Sequence, residues 1–464
     1  MTEPEWVQHA IWWQVYPIGF VDAEPSARAA QPVAHRLGQL VPWLDYVLEL
    51  GASGLALGPV FASETHGYDT TDYFRIDPRL GDDADFDELI TQCHARGLKV
   101  LLDGVFNHVG RSFGPFQEVL AEGPGAPAAS WFRLEWPDSG WSPGREPGYE
   151  DFEGHHHLVA LNHGDPGVAA LVTDVMKHWL GRGADGWRLD AAYAVPASFW
   201  APVLSEVRRD YPESYFVGEY IHGDFADEVE RSTLDSVTQY ELWKAVWSSL
   251  NDANFYELAS ALERHNGFLE TFVPLTFVGN HDVTRLASKL KNPDQLGLAL
   301  TVLMSVGGTP CIYYGDEQAF RGIKEDRAGG DDAVRPAFPA SPAELAKAGW
   351  PVYHLHQELI GLRRRHAWLH TARTKVLTLS NEHLVYQVRA DGGAVGGGAA
   401  DGGAAGGGAA GGGALTVALN LSGSPADLPV PSGSGALLAG QARRHPDRDA
   451  VSLPGFGWAV LGKG

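Results

Sequence analysis

Eight short apolar runs, most of them separated by a stretch with helical spacing, constrain this chain more than any other feature it has. The runs are 11–20, 51–61, 98–102, the run carrying Arg188 and Asp190, 215–217, 235–240, 271–278 and 309–314. Between them apolar residues recur at helical intervals, as in Leu40, Trp43, Leu44, Val47 and Leu48, or Val168, Leu171, Val172, Val175 and Trp179. Stop and start signals flank these stretches. Asp165 and Pro166 read as an N-cap and first-turn proline, with Gly181 and Gly183 ending the helix. Asp85 and Glu88 read as a capping box, Gly97 as a helix stop and Ser198 as a cap. Further helices are expected over 295–306 and 353–364. Alternation of this kind builds a parallel sheet. Eight units fit an α/β fold of the (β/α)8 barrel type with insertions. The rival, a doubly wound open sheet, is weakened because no Gly-rich phosphate loop follows the first run.

Two segments break the rhythm. Residues 109–164 are rich in Gly, Pro and Trp and too long for an ordinary connection, so they read as an inserted subdomain within a catalytic region spanning 1–370. Their Trp131, Trp136 and Trp141 suit either a ligand platform or the insertion's own small core, the latter being favoured. His155, His156 and His157 cannot converge easily on one ion and read as a surface loop. From 371 to 464 strand-like runs follow one another without helices, which fits a small all-β sandwich domain; 391–414 is a Gly/Ala tract read as a mobile loop without chemistry.

The net charge of −23 argues against nucleic acid or an anionic membrane as partner and suits a neutral substrate. Cys93 and Cys311 both lie in apolar runs and read as buried free thiols. The N-terminus shows neither a basic region nor a long apolar stretch, and no run reaches membrane-spanning length, so a cytoplasmic protein is expected. Oligomeric state is left open.

Polar residues gather at one structural place, the C-terminal ends of the strands. Asp103, Asn107 and His108 follow the third, Arg188 and Asp190 end the fourth, Glu219 follows the fifth, and His281 and Asp282 follow the seventh. In barrels that end carries the active site. Residues two apart on a strand share a face, so the Arg188 guanidinium sits beside the Asp190 carboxylate and is expected to keep it ionised.

The segments DGVFNH, GWRLDAA, GEY and VGNHD resemble, in order and placement, the four conserved regions of glycoside hydrolase family 13, the α-amylase family. HGYDTTDYF, LVALNHGDP and TPCIYYGDE match as well. The resemblance covers roughly residues 10 to 365 and implies a barrel with a B domain after strand three and a C-terminal β-sandwich. It implies Asp190 as nucleophile, Glu219 as general acid/base and Asp282 as a third carboxylate holding sugar hydroxyls. Tyr68, His108, Arg188 and His281 match residues around the attacked sugar, and Asp103 matches a supporting carboxylate. Arg335 with an acidic neighbour, Asp331 or Asp332, implies one further sugar contact.

Retention requires one ionised carboxylate and one protonated carboxyl, so burial and negative neighbours are expected to raise the Glu219 pKa. No cofactor is expected, and no metal: calcium-dependent members carry a histidine where this chain has Ala194, and Asn107 alone makes no site. The GWRLDAAYAV segment and the Tyr240 region resemble those of cyclomaltodextrinases and neopullulanases, which usually carry an N-terminal β domain. Intracellular hydrolases of cyclic maltosyl-maltose, which lack that domain, are a nearer expectation. A retaining hydrolase of short linear or cyclic malto-oligosaccharides is therefore expected. An exo-acting α-glucosidase, a transglycosylase or isomerase, and a non-catalytic sugar-binding relative are the alternatives.

Overall fold

The computed structural model describes residues 3–28, 31–138, 140–327, 329–390 and 413–463. Eight parallel strands form one sheet: β1 (Trp12–Val15), β2 (Gly54–Leu57), β3 (Lys99–Gly104), β4 (Gly186–Leu189), β5 (Tyr215–Gly218), β6 (Ser236–Val237), β7 (Leu275–Phe277) and β8 (Thr309–Tyr313). Their spatial order is β6-β5-β4-β3-β2-β1-β8-β7. A parallel bridge between Thr238 and Leu275 joins the two outer edges and closes the barrel. The strands read as continuous apolar runs because helices and barrel interior bury both faces.

Local chemistry explains where elements start and stop. Asp165 caps the helix Pro166–Gly181 by accepting the Gly167 N–H at 2.7 Å, and Gly183 leaves it with φ +100°. The helix Asp83–Ala95 is capped three residues earlier than expected. Asp82 accepts the Ala84 and Asp85 N–H groups, and Asp85 accepts the Asp82 N–H, so the box is Asp82/Asp85 rather than Asp85/Glu88. Ser198 lies inside the helix Ala197–Asp210, whose N-cap is Pro196. The first strand ends at Val15 because Pro17 opens a short helical turn, Pro17–Phe20. The second is cut at Leu57 by Gly58 and Pro59. Phe61–Ser63 then pairs antiparallel with Thr70–Ile76, and Tyr68 sits in the connection between them. The sixth shrinks to two residues, since Tyr240 already opens the helix Tyr240–Asn251.

The insertion after β3 holds the helix Gly114–Glu122 and a small sheet of His108–Gly110, His155–Ala160 and Asp151–Phe152. His155, His156 and His157 are exposed at the start of a strand rather than in a loop, and His156 pairs with Asp151. Cys93 and Cys311 are buried free thiols, whose pKa burial pushes up to about 12.

By contacts the chain forms two compact units: 1–241 with 274–289 and 309–357, and 242–273 with 290–308 and 358–464. The second contains two antiparallel sheets. One has five strands, Arg373–Leu379, His383–Arg389, Ala414–Asn420, Trp458–Lys463 and Ser434–Gly440; the other has three, Ala426–Pro429, Ala450–Leu453 and Arg443–Arg444. Val385, Ala418, Leu428, Val451 and Leu453 share one core between these sheets, which is a sandwich. Of the Gly/Ala tract, 391–412 lies outside the described residues. Among the described residues no helix is long and apolar enough to cross a membrane.

Candidate active site

Arg188 is the centre of the site, and strand register puts it there. On β4 it lies opposite Asp103 of β3 and Val217 of β5. Its Nη1 donates to both Asp103 oxygens at 2.8 Å and to Asp190 Oδ1 at 2.9 Å. Its Nη2 reaches Glu219 Oε1 at 2.9 Å. All four side chains are buried. Glu219 also accepts the Tyr240 hydroxyl at 3.2 Å, which is itself held by Asn280 Nδ2 at 2.8 Å. Its other oxygen accepts the Ala191 N–H at 2.9 Å. That amide is aimed by a left-handed Ala191, φ +45°, a conformation that costs on the order of 1 kcal/mol for a non-glycine.

Asp282 stands apart from this group, between His281 Nε2 and Arg335 Nη2, each at 2.8 Å. Arg335 also pairs with Asp331 at 3.1 Å, and Lys324 reaches the same carboxylate at 3.2 Å. Asp331 is thus the acidic neighbour of Arg335; Asp332 instead opens the turn Asp332–Val334. The Tyr68 hydroxyl donates to Asp103 at 3.2 Å and bonds His281, and the two rings stack at 4°. His108 stacks on Phe152 with ring centroids 4.6 Å apart, and its Nε2 bonds the Tyr68 carbonyl at 2.9 Å.

Burial and charge divide the carboxylates. Burial pushes Asp190 well above the ordinary range, against the pull of Arg188, and the Glu219 and Asp103 charges add to the rise. Burial raises Asp103 too. The expected pull of Arg188 on Asp190 is present, but one guanidinium serves three carboxylates, and burial acts against its share at Asp190. For Asp282 burial also opposes charge, but His281 and then Arg335 pull it well below the ordinary range. Burial depresses His108 to about 4, so its imidazole is neutral near pH 7.

A cavity of about 340 Å³ opens over this constellation. Tyr68, His108, Asp190, Glu219 and Asp282 line it; Asp103, Arg188, His281 and Arg335 are not among its lining residues, although each bonds one that is. The lining also contains Phe152, Glu153, Tyr193, Tyr240 and Lys324. Tyr193 carried a usable signal, three residues after Asp190 on the same strand exit. Phe152, Glu153 and Lys324 carried none. Trp131, Trp136 and Trp141 do not line the cavity. Trp141 covers Gly123 and Trp131 covers Gly167, where an added Cβ would fall 2.4 Å from each ring. Asn107 bonds His108 Nδ1 at 3.1 Å, and Ala194 is exposed.

The model of the α-amylase catalytic domain matches residues 14–373. The chain is similar to a cyclomaltodextrinase of Geobacillus thermopakistaniensis, 29% identical over 98% of this chain and 77% of that protein. The acarbose-soaked debranching enzyme of Nostoc punctiforme matches with a TM-score of 0.80 at 26% identity, covering 100% of both chains. The ligand-free cyclic α-maltosyl-(1→6)-maltose hydrolase of Arthrobacter globiformis matches with a TM-score of 0.79 at 25% identity, again over 100% of both.

Proposed function

Because the chain belongs to the α-amylase family of glycoside hydrolases, we propose that its cleft cleaves short linear or cyclic malto-oligosaccharides with retention, Asp190 attacking and Glu219 serving as acid and then base. One observation carries this reading: Asp190 and Glu219 are bound to the two terminal nitrogens of a single guanidinium, each at 2.9 Å. Carboxylates bridged so closely favour the short separation of retaining enzymes over the wider gap that an inverting water needs. Asp190 would bond the anomeric carbon as Glu219 gives its proton to the departing oxygen. Water, deprotonated by Glu219, would then release the sugar and restore both groups. Burial raises Asp190 and Asp103, and both share the Arg188 cation with Glu219. An incoming glycosidic oxygen against Glu219 favours the proton there and leaves Asp190 as the anion. Asp282 would hold sugar hydroxyls, with Arg335 and His281 fixing its charge. Tyr68 and His108 would wall the attacked ring, Phe152 backing His108; Asp103 would hold Arg188 and Tyr68 in place.

The choice of short, partly cyclic substrates draws on the cyclomaltodextrinase similarity and on the modest cavity. The similarity to a cyclic α-maltosyl-(1→6)-maltose hydrolase adds an α-1,6-linked sugar as a second reading beside an α-1,4-linked one. Product analysis on maltotriose and on an α-1,6-linked tetrasaccharide, with NMR of the first-formed sugar, tests all of this. Glucose and maltose are expected, with the newly formed reducing end as the α-anomer. A β-anomer at that new reducing end would refute retention, and products longer than the substrate would make the enzyme a transglycosylase.

A further inference from the structure

The hairpin that reaches the cavity from the insertion has an unusual tip. Asp151–Phe152 pairs with His155–Ala160 through His155 and Phe152, leaving Glu153 and Gly154 as the two-residue turn. Both have positive φ, +53° and +83°. Such a turn favours Asn, Asp or Gly at its first position, and a glutamate there is held against its backbone preference. Strain of this kind concentrates where a side chain has a task. The Glu153 carboxylate accepts the Tyr193 hydroxyl at 3.0 Å. Tyr193 comes from the other wall, on the turn Ala192–Ala194 that follows Asp190, and its N–H donates to the Glu219 carbonyl at 3.2 Å. Both side chains line the cavity that Asp190 and Glu219 line.

We propose that the Glu153–Tyr193 hydrogen bond is a bar across the leaving-group side of the cleft that sets how long a sugar can extend beyond the cleaved bond. The inference rests on the reading of this cleft as a glycosidase site with Glu219 as the acid. The leaving group departs past Glu219, and Tyr193 is tied to that residue's backbone. The bar joins the insertion to the barrel exit on that side. One or two glucose units, or a bent cyclic or branched sugar, fit inside it, whereas a long linear chain must break the bond to pass. The Tyr193 phenol is suited to this, since burial, then Glu153, raise its pKa and keep it a donor at neutral pH.

Tyr193→Phe removes only the donor, and Glu153→Gly removes the acceptor while suiting the positive-φ turn, so the second variant keeps the fold. Turnover of α-maltosyl fluoride, maltotriose and long-chain amylose is compared in the wild type, both variants and the double variant. The kcat/KM ratio of amylose to maltotriose should rise about three- to tenfold in each single variant, the size a lost hydrogen bond carries, and no further in the double. An unchanged or lower ratio overturns the bar, including the case where all three substrates lose activity equally. If the wild type does not turn over the fluoride, which needs neither a proton donor nor a sugar on the leaving side, the glycosidase reading itself fails and the bar with it.

Discussion

Two buried carboxylate clusters belong to strand ends of the same barrel, and one of them supplies Asp190 and Glu219 to the lining of the cavity of about 340 Å³. Asp190, Glu219 and Asp103 surround Arg188 beneath the cleft. Asp316 and Glu317 follow β8. Asp316 meets Arg285 at 2.8 Å, and Glu317 accepts the Trp13 indole N–H at 3.3 Å, the Tyr46 hydroxyl at 3.0 Å and the Gly315 N–H at 2.9 Å. Arg285 is further spent on the Tyr314 and Val334 carbonyls and lies 4.5 Å from the Tyr313 ring centroid. Burial pushes Asp316 up to about 6 and Glu317 up to about 7. Displaced pKa values and a paired arginine therefore occur in both clusters. The difference is access: neither Asp316 nor Glu317 lines the cavity, and their donors close them off inside the protein. The second cluster ties β8 to β1 and its neighbours. A perturbed carboxylate marks a reactive site only where a substrate can reach it.

The largest expected effect breaks the comparison at its active half. Asp190→Asn and Glu219→Gln should each lower kcat by several orders of magnitude while circular dichroism stays native, since general acid/base help alone is worth about 10²–10⁴-fold. Near-normal turnover in either variant would refute the assignment. The mirror change, Asp316→Ala, strands the Arg285 cation and should cost about 3–5 kcal/mol of stability while the folded fraction keeps its kcat; chemical denaturation and active-site titration together read both.

A smaller effect separates the clusters by pH. Glu317 moves from 4.5 to about 7 on folding and Asp316 from 3.8 to about 6. Raised carboxyls bind protons more tightly in the folded state, so their contribution is fully present below the unfolded values. It is lost as pH climbs through the folded ones. At about 1.4 kcal/mol per unit this amounts to a few kcal/mol. Glu317→Gln should flatten the decline of Tm between pH 4.5 and 7; an identical slope in both proteins would refute the linkage. Asp282, depressed, acts in the opposite sense, losing its contribution as pH falls.

The smallest effect is one expected to be nil. With Ala194 in place of the calcium-ligand histidine of calcium-dependent relatives, a chelator should leave kcat and Tm unchanged. A drop restored by added calcium would refute that and would tie one of the clusters, or the insertion above them, to a metal.

Much of the fold was legible because its signals are local. Asp165, Pro166 and Gly183 bound their helix by rules that act within a turn, and the apolar runs of the barrel reflect burial on both faces. The errors were local competitions too. Asp82 outranked Asp85 as a cap because its side chain reaches two free amides, and Pro17 and Tyr240 cut short the runs 11–20 and 235–240 by opening helices. The site's polar groups at strand ends were legible because period-two geometry and strand order put them there. The rise at Asp190 was not, since it depends on burial and on how many carboxylates share one arginine, which adjacency in sequence does not count.

By itself, then, the sequence determined an eight-unit barrel, the family, and which strand ends carry Asp103, Arg188, Asp190, Glu219 and Asp282. Only tertiary structure decided which groups meet. It closed the barrel through Thr238 and Leu275, gave Arg335 to Asp331 rather than Asp332, laid Phe152 on His108 and brought Glu153 across to Tyr193. The physical reason is range. Periodicity and capping act over a few residues, whereas each of these contacts depends on loop path, strand stagger and turn geometry set by the packing of the whole chain.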